Sequence, residues 1–221
     1  MIVFDVNETL SNMAPMADRF AEVGAPAAMA KLWFATLLRD GFALTAAGDN
    51  PAFADIGAEA LRGLLPNTGL NRGVDEAVEH IISGLAGLEL HPDVPDGVRA
   101  LKRSGYTLVT LTNGSTQLAQ RLFEPAGIRE DFEALLSVED APAWKPARES
   151  YHYAASACGV ASEQMVLVAV HPWDIHGAAK AGLQTAWINR TGGNYPGYFA
   201  RADHVVGSLP ELATVLPAVG H

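Results

Sequence analysis

Four strand-length apolar runs, each halted by polar residues, constrain this chain most. Ile2–Phe4 stops at Asp5, and Tyr106–Leu111 stops at Thr112-Asn113-Gly114. Met165–Val170 stops at His171-Pro172-Trp173-Asp174, and Thr185–Ile188 at Asn189-Arg190. None of the runs alternates polar with apolar, which is the pattern of parallel strands covered on both faces. Helical patterns lie between them, over Val94–Arg103, Thr116–Phe123, Glu149–Cys158 and Asp174–Ala181, with Gly105, Gly159 and Gly182 at their ends. Strand and helix in alternation predict βαβ units and an α/β fold: a doubly wound, Rossmann-like parallel sheet. Ligands bind such sheets at the carboxyl ends of the strands, where the polar residues named above fall.

Residues 12–90 follow another pattern. Met16–Val23, Ala27–Leu38, Phe53–Leu65 and Val74–Leu85 carry apolar residues near helical spacing, and no strand is evident. This block is too long for a simple crossover. It is expected to form a helical cap, leaving residues 1–11 and 91–221 as the core. Val205-Val206 is expected to add a short edge strand, and Ser208–Leu216 a last helix.

The balance of 25 acidic against 15 basic residues gives a net charge of −10. Such a chain is a poor candidate for nucleic acid or an anionic membrane, though a few local cations still suit an anionic small substrate. The one cysteine, Cys158, excludes an intramolecular disulfide and a cysteine-based zinc cluster, and its alanine-rich surroundings read as a small buried residue. No basic leader, no long apolar run and no metal-ligand spacing of histidines is evident, so the expected location is the cytoplasm.

Asp5 is the first residue of chemical interest. A carboxylate at a strand end can cap a turn; facing a pocket, it can act as a nucleophile and form an ester that water later breaks. Phe4-Asp5-Val6-Asn7-Glu8-Thr9-Leu10 resembles the first motif of the haloacid dehalogenase-like hydrolases, whose leading Asp is the nucleophile. Thr112-Asn113-Gly114 is similar to the second motif, Lys145-Pro146 to the third, and Asp174 with Gly177-Ala178 to the fourth. The motifs stand in order along nearly the whole chain, and residues 12–90 stand at the place of the family's cap.

Within that family the residues favour a halide leaving group. Phosphatases carry a second Asp two residues after the nucleophile to protonate an alkoxide. Here that position is Asn7, which is no acid, and halide needs no proton. The fourth motif has one carboxylate, Asp174, between Trp173 and Ile175, a thin donor set for Mg²⁺. Trp173-Asp174 with Gly177-Ala178, and Tyr151 six residues past Lys145, resemble the type II L-2-haloacid dehalogenases.

That resemblance implies hydrolytic dehalogenation of a short 2-haloalkanoic acid, with neither metal nor organic cofactor. Asp5 displaces halide from the α-carbon with inversion, and Asp174 positions or activates the water that cleaves the ester. Lys145 neutralises the nucleophile's charge. Thr9 and Thr112 hold carboxylates, and Tyr151 orients the set. Asn113, His171, Trp173 and Phe34 are candidate pocket residues. A homodimer is common in that group.

Three positions depart from the group's pattern. Phe34, after Trp33, stands where the cap Arg that receives halide is usual. Ala169 and His171 replace a Ser and an Asn, and Asn7-Glu8 replaces an aromatic residue and Gly. His171 is a candidate to bind the substrate carboxylate when protonated, or to steer water. Two alternatives stay open: a Mg²⁺-dependent small-molecule phosphatase, marked by phosphate release, and a catalytically silent ligand-binding member, marked by no turnover.

Overall fold

The computed structural model describes residues 1–219. In chain order its elements are β1 (Ile2–Phe4), β2 (Ser11–Asn12), α1 (Met16–Glu22), α2 (Met29–Ala47), α3 (Phe53–Leu64), α4 (Val74–Gly84), β3 (Glu89–Leu90), α5 (Val94–Arg103), β4 (Leu108–Thr112), α6 (Thr116–Phe123), β5 (Phe132–Ser137), α7 (Arg148–Ala157), β6 (Val166–Ala169), α8 (Pro172–Lys180), β7 (Gln184–Ile188), β8 (His204–Val206) and α9 (Leu209–Val215). The chain divides into two compact units. One is Met1–Ser11 with the chain from Leu90 onward, and the other is Asn12–Glu89.

The first unit is built on a sheet of order β5-β4-β1-β6-β7-β8, parallel at every pairing. β1, β4 and β6 are buried along their whole lengths, as their unbroken apolar runs require. A fully buried Val, Leu or Ile side chain contributes roughly 1.5–3 kcal/mol, so this three-strand centre anchors the sheet. β1 lies between β4 and β6, and strand order runs outward from it in both directions. The carboxyl end of β1 is therefore the topological switch point, the place where sheets of this kind bind their ligands.

The structure differs from the sequence expectation in a few places. β5, which extends the sheet beyond β4, carries Glu133, Ala134 and Leu135, helix-favouring residues on a half-exposed edge. Pairing to β4 overrides their local preference. α2 runs to Ala47, well past Leu38, and ends at Gly48 with φ +96°. Two-residue strands, β2 and β3, occur where the sequence showed none. Cys158 is half-buried at the end of α7 rather than fully buried, because it caps a helix instead of facing the sheet.

The second unit consists of α1–α4. Phe20, Trp33, Leu37, Leu61 and Ile81 are fully buried, and Trp33 Nε1 donates to the Gly57 carbonyl at 2.9 Å. Among the described residues no helix is long and apolar enough to cross a membrane.

Candidate active site

Asp5 follows β1 directly. Its backbone N–H donates to Val168 O at 3.0 Å, which continues the β1–β6 ladder one residue past the strand and fixes the side chain at the sheet's carboxyl edge. The residue is 3 % exposed. Oδ2 accepts from Thr9 Oγ1 at 2.6 Å, and His171 Nδ1 lies 3.1 Å from the same oxygen. Oδ1 accepts from Lys145 Nζ at 2.9 Å.

Lys145 lies in the loop between β5 and α7, and its side chain is fully buried. Its ammonium also donates to Asp174 Oδ2 at 2.6 Å, so one cation bridges two carboxylates. Asn113 sets the loop in place. Lys145 N donates to Asn113 Oδ1 at 3.0 Å, and Asn113 Nδ2 donates to Lys145 O at 3.1 Å. The amide thus uses both ends on the lysine's backbone. Thr112 Oγ1 accepts from Gly114 N–H at 3.0 Å and shapes the turn after β4.

Asp174 lies in the first turn of α8 and is fully buried. Tyr151, from α7, donates its hydroxyl to Asp174 Oδ1 at 2.6 Å and lies 3.1 Å from the Asp174 carbonyl. Gly177 makes this approach feasible. A Cβ there would stand 2.6 Å from both Pro146 Cβ and the Tyr151 hydroxyl. Thr9 is fixed from two sides: Val170 N–H donates to its hydroxyl at 3.1 Å, and Arg190 Nη2 donates to its carbonyl at 2.8 Å. Arg190 is itself paired with Asp93 at 2.7 Å.

The electrostatics follow from this arrangement. Burial alone would raise the Asp5 pKa, but Lys145, His171 and Thr9 together hold it well below the usual carboxylate range. Burial raises Asp174; Lys145 opposes the rise, the charge of Asp5 adds to it, and the net direction is up. For Lys145, burial is outweighed by the two carboxylates, and its pKa is raised. Burial, then the nearby charge of Asp174, pushes Tyr151 well above its ordinary value, so its hydroxyl stays a donor. The set therefore joins an ionised, desolvated carboxylate to a second carboxylate with more affinity for a proton. That combination suits a nucleophile and a base.

His171 ends the β6 loop, and its ring stacks on Trp173 with centroids 5.0 Å apart. Trp173 also lies 6.0 Å from Lys145 Nζ. Beyond His171 stands Glu8, whose Oε2 is 2.8 Å from Nε2. In the sequence Glu8 stands out only as a departure from the motif, and its pairing with His171 emerges only in the fold. The available signal was two unusual residues, Glu8 and His171, in adjacent motifs. Phe34 belongs to the other unit, on α2, with its ring 6.5 Å from that of Phe53. Among the described residues no group of three His, Cys, Asp or Glu side chains is arranged to hold a metal ion.

A doubly wound parallel sheet with a buried aspartate at the end of its central strand, bridged by lysine to a second aspartate, defines a class of hydrolase with a Rossmann-like core. The chain belongs to the haloacid dehalogenase-like hydrolases, whose family model matches residues 1–182. It is 32% identical over 219 residues to (S)-2-haloacid dehalogenase 4A of Burkholderia cepacia, covering 97% of this chain and 93% of the relative. A crystal structure of a dehalogenase is similar with a TM-score of 0.89 and 30% identity, over 99% of this chain and 97% of that one. A dehalogenase with an intermediate complex is similar with a TM-score of 0.87 and 28% identity, over 99% of this chain and 97% of that one.

Proposed function

We propose that this protein hydrolyses the carbon–halogen bond of short (S)-2-haloalkanoic acids through a covalent ester on Asp5. The carrying observation is the buried bridge from Asp5 through Lys145 to Asp174. In the first step Asp5 Oδ1 attacks the α-carbon, the carbon–halogen bond breaks, and the electron pair leaves with the halide. We take Oδ1, which has one donor in Lys145, as the attacking oxygen, and Oδ2, which has two in Thr9 and His171, as the one that stays with Asp5. In the second step water adds to the Asp5 carboxyl carbon, and Asp174 takes its proton. The carbon–Oδ1 bond then breaks, Asp174 returns the proton to the departing alkoxide, and the 2-hydroxy acid leaves with Oδ1. One proton is released to solvent, and Asp5 carries an oxygen from water.

The roles in this reading are Asp5 as nucleophile, Asp174 as base and Lys145 as electrostatic partner of both. Thr9, Asn113 and Tyr151 fix these groups, while Thr112, His171 and Trp173 border the substrate. The cap role of residues 12–90, and Phe34 as a pocket residue in place of the usual Arg, belong to the same proposal and rest on the resemblance in sequence. The reading requires no metal: the Lys145 ammonium, shared by both carboxylates, offsets part of their charge. The similarity to (S)-2-haloacid dehalogenase 4A supports the substrate class.

The test is halide release from L-2-chloropropionate in EDTA, with Asp5→Asn alongside. Release by the wild type and none by the variant is expected. A wild type that releases no halide, or that releases phosphate from esters only with Mg²⁺, overturns the reading.

A further inference from the structure

The mechanism above leaves His171 and Glu8 without a chemical task. The imidazole lies between two carboxylates, with Nδ1 at 3.1 Å from Asp5 Oδ2 and Nε2 at 2.8 Å from Glu8 Oε2. An ionised carboxylate only accepts hydrogen bonds, so both ring nitrogens must donate, and the ring is an imidazolium. The face of Trp173 lies against it at 26° between planes, a favourable surface for a cation. Glu8 takes a backbone φ of +61°, a left-handed conformation that favours glycine over any residue with a side chain. Its carbonyl is held by His91 Nε2 at 2.9 Å. The chain tolerates this conformation at the position where the resembling group has Gly, and the strained residue is the one whose side chain reaches His171.

We propose that His171, held as an imidazolium by Glu8, is the oxyanion donor for hydrolysis of the Asp5 ester. This rests on the reading of Asp5 as the nucleophile. When Oδ1 carries the alkyl group, Oδ2 is the ester carbonyl oxygen. Water adding to the carboxyl carbon moves the carbonyl π pair onto Oδ2, which becomes an oxyanion. Two donors already point at that atom, Thr9 Oγ1 at 2.6 Å and His171 Nδ1 at 3.1 Å. Collapse returns the pair to the carbonyl and expels the Oδ1 alkoxide, which takes its proton from Asp174. His171 transfers no proton; it supplies fixed positive charge where negative charge develops. Glu8 is a positioning residue acting through His171.

The pH dependence follows from the groups that face the ring. These are Asp5 from the end of β1 and Glu8 from the loop after it, with Lys145 and Asp174 beyond Asp5. Both carboxylates favour the charged ring against the cost of burial, and its pKa is raised from 6.5 to about 9. That value holds with Asp5 ionised; in the ester Asp5 carries no charge and Glu8 alone favours the charged ring, so the hydrolytic step weakens as pH rises through a lower value.

The experiment is rapid-quench halide release from L-2-chloropropionate by the wild type, Glu8→Gln, Glu8→Gly and His171→Gln, with intact-mass detection of the ester. Glu8→Gly suits φ +61° better than glutamate does, so it removes the carboxylate without loading the backbone. For both Glu8 variants we expect a halide burst near the wild-type rate and a steady-state rate about 10-fold lower, with the ester accumulating. For His171→Gln we expect a steady-state loss of about 10²-fold, the usual effect of removing an oxyanion donor. The alkaline limb of kcat is expected to move down in pH for the Glu8 variants. Unchanged steady-state rates and pH profiles in an active protein, or losses confined to the burst, overturn the proposal and leave the nucleophile reading intact. A wild type that releases no halide overturns both.

Discussion

Lys145 Nζ stands 2.9 Å from Asp5 Oδ1, and both side chains are almost completely shielded from solvent. The same ammonium reaches Asp174 at 2.6 Å. Removing it leaves two buried carboxylates facing each other with no shared cation. Lys145→Met is expected to abolish halide release and to destabilise the fold by about 3–5 kcal/mol, the usual cost of breaking a buried ion pair on one side. Urea denaturation alongside the activity assay checks both; a stable, active variant contradicts the bridging role.

Tyr151 acts one shell further out. Its hydroxyl is a charge-assisted donor to Asp174 Oδ1 at 2.6 Å, and burial keeps it protonated. Tyr151→Phe removes that donor with little change of shape. A hydrogen bond to a charged group contributes about 1.5–3 kcal/mol, so kcat is expected to fall roughly 10- to 100-fold with KM nearly unchanged. Steady-state kinetics decide this, and an equal change in KM would assign the tyrosine to substrate binding instead.

Gly177 tests the geometry by volume alone. A Cβ at this position would stand 2.6 Å from Pro146 Cβ and from the Tyr151 hydroxyl, and 2.7 Å from the Pro146 carbonyl oxygen. Gly177→Ala is expected to lower stability by about 1–3 kcal/mol through overpacking. It is also expected to lower kcat, because the atoms displaced hold Lys145 and Asp174. A thermal melt and a rate measured well below the melting temperature separate the two effects.

Stability should also report the histidine. The folded-state pKa of His171 is raised from 6.5 to about 9 by its two carboxylates, against the opposing effect of burial. A raised pKa means that the folded state binds the proton more tightly than the unfolded chain. The resulting stabilisation is fully present below pH 6.5 and is lost as pH rises through about 9. Unfolding free energy in urea is expected to decline over that interval in the wild type and to decline less steeply in His171→Gln. Identical slopes would show that the ring is not charged in the folded protein.

Most of this site was legible because its residues sit at strand ends that the sequence marks by an abrupt change from apolar to polar. Asp5, Asn113, His171 and Asp174 all follow such changes. Lys145 was legible only through its motif, because β5, the strand that leads to it, reads locally as helix. What a side chain does there was less readable. Asn113 reads as a pocket residue in sequence; the two hydrogen bonds of its amide to the Lys145 backbone, 32 positions away, emerge only in the fold. The Glu8–His171 pair spans a still larger separation and depends on a left-handed backbone at Glu8 that no local pattern announces. Phe34 illustrates the reverse: its place in the motif was clear, while its ring contact with Phe53 required the fold of the helical unit.

The central claim is that Asp5 forms a covalent ester and that water attacks its carboxyl carbon. A single turnover in ¹⁸O-water, with enzyme in excess over L-2-chloropropionate, tests it most directly. The account predicts ¹⁸O in the peptide containing Asp5 and only ordinary oxygen in the hydroxyl of the released 2-hydroxy acid. Label in the product hydroxyl, with none in Asp5, would mean that water attacks the substrate itself and would contradict the account.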